Sequence, residues 1–219
     1  MFDFHTHTVF SDGALIPAEL ARRAKQQEYQ GIAITDHVDL TNLYWVLSNQ
    51  LIGAGNLSTY SGVEVYAGVE ITHVPTPLIP ELVDRARELG AQLVVVHGET
   101  LVEPVQKGTN LAAIEAGVDI LAHPGLISPE EAALAAEKGV ALEISTRKGH
   151  SLSNGHVLAM ARLHKAELII NNDAHAPEDL VSADLRRAIA YGAGMSEEEY
   201  LQAEETARRM QQEIILKKR

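Results

Sequence analysis

Short runs of aliphatic and β-branched residues alternate along this chain with segments whose apolar positions recur at helical spacing. Seven of the runs read as strands: residues 2–5, 31–35, 63–70, 92–96, 119–122, 141–144 and 167–170. They are mostly apolar on both faces, as strands buried in a parallel sheet are. Helical patterns lie between them. One has Pro17 in its first turn and runs to residue 27, with Ile16, Leu20 and Ala24 at helical spacing. Leu40, Leu43, Tyr44, Leu47 and Leu51 mark the next, and 80–89, 111–116, 129–138 and 155–164 follow. Gly90, Gly117 and Gly139 stand just before the next strand, where a helix end takes a left-handed residue. This alternation predicts an α/β fold: a distorted (β/α)7 TIM-like barrel, one unit shorter than the eight-unit form. Two more helices, 180–191 and 196–216, complete the pattern. Glu197, Glu198, Glu199, Glu204 and Glu205 come early in the last one, and Arg208, Arg209, Lys217, Lys218 and Arg219 come late. That order suits the helix dipole, and a solvated face is its ordinary explanation. The expectation is one domain over 1–219, with the barrel over about 1–192 and a C-terminal helix over about 196–216.

The strand ends carry the chemistry. In order they read Asp3-Phe4-His5-Thr6-His7, Thr35-Asp36-His37, Gly68-Val69-Glu70, Val95-Val96-His97, Leu121-Ala122-His123-Pro124 and Asn172-Asp173-Ala174-His175. Barrel enzymes place their sites in the loops at the C-terminal ends of the strands. A lone buried histidine is usually a hydrogen-bonded core residue. His5 and His7, two apart at a strand end, point the same way, and two imidazoles on one face favour a cation between them. His37, His97, His123 and His175 from other strand ends strengthen that reading. Glu70 has two oxygens with free lone pairs and suits a bridge between ions. Asp12, in Ser11-Asp12-Gly13, reads by itself as a turn residue or a helix cap.

Composition narrows the partners. There is no cysteine, so disulfides are excluded and any metal takes nitrogen and oxygen donors. The net charge of −12 opposes non-specific binding to nucleic acid. Three divalent ions would halve that charge and concentrate the positive part in one cleft, which admits a small anion. The first motif starts at Asp3, so no signal peptide is expected to precede it. No apolar run approaches the roughly 20 residues of a membrane span, and the expected location is cytoplasmic. Leu43, Tyr44, Trp45 and Leu47 form an apolar cluster that core packing explains most simply, and the oligomeric state is not readable.

Taken together, His5-Thr6-His7-Thr8 with Ser11-Asp12-Gly13, Thr35-Asp36-His37, Gly68-Val69-Glu70, Val96-His97, Ala122-His123-Pro124 and Asp173-Ala174-His175 resemble the motifs of the PHP superfamily, the polymerase and histidinol phosphatase domain. The resemblance spans residues 3–175 in the family's order. It implies a distorted (β/α)7 barrel with a metal site at the C-terminal ends of the strands. It also implies up to three divalent ions per chain: zinc, manganese or iron. One would take His5, His7, Glu70 and Asp173. A second would share Glu70 and add His97 and His123. A third would use Asp12, His37 and His175. Some relatives carry histidine near position 13, where this chain has Gly13, so the third site rests on Asp12.

Six imidazoles and three carboxylates around such ions suit phosphate ester hydrolysis. Metals of this kind lower the pKa of water and stabilise charge on the phosphoryl oxygens, so no side-chain nucleophile is needed. The catalytic set expected is Glu70 with His73, Arg147, Lys148 and His150. Arg147 and Lys148 follow the sixth strand and either meet substrate phosphate or belong to a solvated loop. His73 and His150 either protonate the leaving alkoxide or are loop histidines without a role. His156 and His164 fall in a helical pattern and read as structural. The leading expectation is a phosphomonoesterase for a small phosphorylated substrate, histidinol-phosphate-like or a nucleoside monophosphate. The alternatives are a phosphodiesterase or nuclease, disfavoured by the acidic charge, and a non-catalytic PHP module.

Overall fold

The computed structural model describes residues 1–217. Its strands are β1 (Phe2–Thr6), β2 (Gly31–Ile34), β3 (His37–Val38), β4 (Glu64–Ile71), β5 (Leu93–His97), β6 (Ile120–Ala122), β7 (Ala141–Ser145) and β8 (Leu168–Asn171). Its α-helices are α1 (Pro17–Gln26), α2 (Leu43–Ser61), α3 (Ile79–Glu88), α4 (Thr109–Glu115), α5 (Pro129–Lys138), α6 (Asn154–His164), α7 (Ala183–Gly192) and α8 (Glu197–Lys217). All ladders are parallel, in the order β1-β2-β4-β5-β6-β7-β8, with β3 on β4. The result is a nearly closed, distorted barrel of seven strands, with β3 as a short side piece. The expected second strand, 31–35, is present as β2, and a short strand beyond it was not expected. β2 stops at Ile34, and two residues later β3 resumes pairing, with His37 opposite Glu70.

The seam between β1 and β8 closes by unusual means. Near the strand ends the backbone suffices, since His7 N donates to Ala174 O at 2.8 Å. Deeper in, side chains replace the ladder. Phe4 N donates to Asn171 Oδ1 at 2.9 Å, and Asn172 N donates to Asp3 Oδ1 at 3.1 Å. Both side chains are buried, so these bonds satisfy backbone donors that water cannot reach. The register of β1 against β2 shifts between Asp3 and Thr6, an irregularity of the kind that re-aims side chains.

Two apolar clusters divide the core. The larger lies between strands and helices and takes in Ile32, Val65, Val69, Leu82, Leu121, Leu142 and Leu158. The smaller joins Phe2, Phe4, Tyr66, Leu93, Val95, Ile120 and Ile169 with Ala207, Met210 and Ile214 of α8. One face of α8 is thus core rather than solvated surface, while Glu197, Glu198 and Glu199 occupy its first turn. Of the basic residues expected at its end, Lys218 and Arg219 lie outside the described residues. The stripe expected on α2 is rotated. Leu43, Val46, Leu47, Gln50 and Ala54 are buried, whereas Leu40, Tyr44, Trp45 and Leu51 are exposed. A nineteen-residue helix without charged side chains offers no polar contrast to fix its inward face from sequence. No helix among the described residues is long and apolar enough to cross a membrane.

The loop after β6 is packed tightly against the loop after β5. Gly125 has φ +63°, and a Cβ there would fall 1.8 Å from the carbonyl oxygen of Glu99. Gly125→Ala should therefore lose about 3 kcal/mol of stability, from left-handed backbone and backbone overlap together. Urea denaturation reads this as a lower midpoint with an unchanged slope. A loss below about 1 kcal/mol would contradict the tight packing.

Candidate metal centre

The ends of β1, β3, β4 and β5 and the loops after β1, β6 and β8 meet at one end of the barrel. His5 lies in β1, His37 in β3, Glu70 in β4 and His97 at the end of β5. His7, Asp12, His123, Asp173 and His175 stand in the loops just beyond strands. All nine expected donors come together, and their atoms form overlapping groups that could hold a cation. His5 Nε2 lies 3.2 Å from Glu70 Oε1 and 3.5 Å from Asp173 Oδ1. His7 Nε2 lies 3.1 Å from the same Asp173 oxygen. His97 Nδ1 and His123 Nε2 lie 3.3 and 3.7 Å from Glu70 Oε1. His37 Nε2 and His175 Nε2 lie 3.4 and 3.1 Å from Asp12 Oδ1. Glu70 therefore sits between two of the expected donor sets. Its other oxygen also reaches His37 Nδ1, at 2.6 Å.

The donor set fits divalent cations on a test internal to the structure. Buried atoms that make no hydrogen bond include His5 Nε2, both ring nitrogens of His7, His97 and His123, Glu70 Oε1 and Asp173 Oδ1. Each buried polar atom left this way costs about 1–3 kcal/mol. Their concentration at one point is what a cation site requires. Three of the five non-glycine residues with positive φ among the described residues, His73, His123 and Asp173, also lie here. Backbone strain of this kind gathers at functional sites.

The charges are mutually dependent. Burial opposes ionisation of Glu70, but His5, His37 and His97 outweigh it and hold the carboxyl well below its usual range. Burial, with Glu70 and Glu143 nearby, pushes Asp173 up to about 7 despite the opposing pull of His5. Burial would lower His97, yet Glu70 and Glu103 raise it to about 10. His7 and His123 are driven down by burial and by neighbouring imidazoles.

Several groups outside the expected set hold these donors. Glu143, buried on β7, meets His5 Nδ1 at 2.8 Å and accepts from Asn171 Nδ2 at 3.1 Å. A carboxylate at Nδ1 orients the ring by accepting that N–H, and this turns Nε2 towards Glu70, where a cation would displace its proton. Asp36 accepts from Thr8 N, Thr8 Oγ1, Ser11 Oγ and Gln50 Nε2, at 2.6 to 2.8 Å. It is a clamp for the loop that bears Asp12. Gly13 has no room for a side chain, since a Cβ would lie 2.5 Å from His7 C and O. In this loop a histidine at 13 is sterically excluded, which leaves Asp12 as its donor.

A cavity of about 320 Å³ opens over the cluster. Arg147, His73 and His150 line it. Lys148 is exposed and is not among the lining residues. His156 bonds to Ile127 O and is structural. Glu103, which sequence reading did not single out, also lines the cavity and meets His97 Nε2 at 3.1 Å. Glu143 and Glu103 lie on opposite sides of the cluster, and single carboxylates in a strand and a loop carry no local pattern that marks them.

A PHP domain family model matches residues 3–97. A protein of Methanocaldococcus jannaschii, named only as uncharacterized, is 48% identical over 200 residues, covering 90% of this chain and 92% of that protein. Ribonuclease P protein component 3 of Methanosarcina mazei is 30% identical over 218 residues, covering 92% of this chain and 84% of its own. A chain in a cryo-EM structure of archaeal ribonuclease P with mature tRNA superposes with a TM-score of 0.73. That match covers 96% of this chain and 89% of the other at 18% identity, and so shows a shared fold.

Two measurements bear on the centre. Glu143→Gln should weaken divalent metal affinity by about 10- to 100-fold in a chelator competition while the circular dichroism spectrum is retained. Cation binding must also displace protons from His97, held up at about 10, and from Asp173, held up at about 7. Protons compete less as pH rises towards those values. Affinity should therefore increase by about tenfold or more per pH unit from pH 6 to 8. A flat profile would show that these groups do not bind the ion.

Proposed function

This chain belongs to the PHP domain family and has the barrel of that family's metal-dependent phosphoesterases, and on that premise we propose that it hydrolyses a phosphate monoester of a small metabolite. We take residues 1–219 to act as one domain for this purpose. The observation that carries the reading is the convergence of nine nitrogen and oxygen donors, most of them buried, beneath a cavity of small-molecule size. His5, His7, Glu70 and Asp173 would hold one divalent ion, Glu70, His97 and His123 a second, and Asp12, His37 and His175 a third. Zinc, manganese and iron all suit this donor chemistry. Bound there, such ions supply charge neutralisation for the phosphoryl oxygens and a lowered pKa for water beside phosphorus.

The chain's own groups position and complete the reaction. Glu143 and Asn171 fix the ring of His5. Arg147 Nη1 donates to Asp173 O at 2.8 Å, which anchors a planar guanidinium at the cavity wall with donors left for a phosphate oxygen. In hydrolysis a water oxygen bonds to phosphorus as the ester P–O bond breaks, and the leaving oxygen takes a proton. His73, the more exposed of the two candidates, is placed to give that proton. Burial holds His150 down at about 4, so it is neutral near pH 7 and suits orientation more than proton donation. Lys148, away from the lining, has no part in this reading.

The likeness to a ribonuclease P protein component favours a second reading, in which the chain works on RNA or beside it. That relative removes support for the expectation, drawn from the charge of −12, that nucleic acid is not a partner. The monoester reading stands first because the donor set is complete and the cavity wall has little basic surface.

Assays of manganese-loaded protein on small phosphomonoesters, a generic phosphodiester and an RNA oligonucleotide should give turnover of a monoester at least about tenfold above the other two. Glu70→Gln should reduce that turnover by at least about 100-fold. Chelation should abolish it, and restored metal should recover it. Faster cleavage of diester or RNA would reverse the order of the two readings.

A further inference from the structure

The mouth of the cavity is acidic, and phosphate ester hydrolysis as such does not require this. Beyond Asp12 and Asp173, which the metal reading already uses, Asp39 and Glu103 line it, and Arg147 is the one Lys or Arg side chain among the described lining residues. Its Nη1 is engaged with Asp173 O at 2.8 Å and with Asp179 Oδ2 at 3.5 Å.

Glu103 is the best placed of these carboxylates. It stands in the loop between β5 and α4, and that loop is tied at both ends. Gly108 N and Asn110 N donate to Glu99 Oε1 at 2.8 and 3.1 Å, and Asn110 Nδ2 donates to Pro124 O at 2.8 Å. The Glu103 carboxylate meets His97 Nε2 at 3.1 Å, His73 Nε2 at 3.3 Å and His150 Nε2 at 3.5 Å. It is 37% exposed, whereas His97 and His150 beneath it are 3% and 4% exposed. A phosphoryl group facing the nine donors would leave its organic substituent beside this carboxylate. Contacts to imidazoles do not exhaust its lone pairs, so it can still accept from a substrate ammonium or hydroxyl.

Resting on the phosphoesterase reading, we propose that Glu103 is a specificity-determining residue. It favours esters whose organic group is neutral or cationic and turns away those bearing a second anion. Two like charges a few ångströms apart in a partly desolvated mouth repel, and added salt screens the effect. The same carboxylate disfavours a polynucleotide, whose flanking phosphates would cross a mouth with little basic surface.

The test uses the full metal-loaded chain and three monoesters whose organic parts differ in charge: O-phosphoethanolamine, glycerol 3-phosphate and 3-phosphoglycerate. For the wild type, kcat/KM should fall in that order over a range of about tenfold, mostly through KM. Glu103→Gln should compress the range to about threefold or less, as should high salt, while Glu103→Asp restores the order. Metal content measured alongside separates this from loss of ions, which would lower all three substrates together. Turnover with the same range in Glu103→Gln as in the wild type overturns the role of Glu103 and leaves the phosphoesterase reading standing. Absence of turnover on every monoester overturns that reading, and the selectivity with it.

Discussion

Removing imidazoles and carboxylates from water at a single point is the constraint around which this protein is organised. His5, His7, Glu70, His97, His123 and Asp173 are all buried, and several of their polar atoms have no hydrogen bond of their own. Each such atom is a free-energy cost that packing elsewhere does not repay. The arrangement is tenable because the charges offset one another and because the donor set matches a cation. Glu70 shows this most directly. Its carboxyl is in a dry position that opposes ionisation, and three imidazoles reverse that preference.

The barrel makes such a cluster possible by dividing its length. The interior near the strand starts is filled by Phe2, Phe4, Leu93, Val95 and Ile169 under α8, so it is apolar and closed. The interior at the strand ends is polar and opens to the cavity. The seam between β1 and β8 lies across both regions. Asn171 serves it twice, accepting from Phe4 N and donating to Glu143, which in turn holds His5. Closure of the barrel and the aim of one imidazole therefore depend on the same side chain. Positive φ at His123 and Asp173 places further strain where donors must converge, and this is consistent with a site that the surrounding packing holds in place.

Charge operates on two scales. Across the whole chain it is −12, which weakens non-specific attraction to a polyanion and leaves specific recognition open. Within the centre, six imidazoles face three carboxylates, and bound cations would leave a local positive excess. Net charge thus says little about what the cleft accepts, and kinship with a ribonuclease P protein component is a reminder of that. The carboxylates at the cavity mouth, above the cluster, bear more directly on substrate choice than the total does.

Much of this was legible in the chain. The repeated pairing of an aliphatic run with a terminal histidine or acid points to the barrel and to eight of the nine groups that come together, because these residues stand at strand ends and parallel strands put all their ends on one side. Asp12 was ambiguous locally, and the structure brings it to His37 and His175 in a loop that has no room for a side chain at Gly13. What tertiary structure alone decided are the contacts between distant segments. Glu143 is 138 residues from His5, and Asn171 is 167 residues from Phe4. Glu103 meets three histidines only because its loop folds back over them. The inward face of α2 and the strands that α8 covers were also decided there. A helix without charged residues lacks the contrast from which a buried side can be read, so the orientation of α2 is set by what it packs against, whereas on α8 the structure decides only which strands the apolar row of Ala207, Met210 and Ile214 covers.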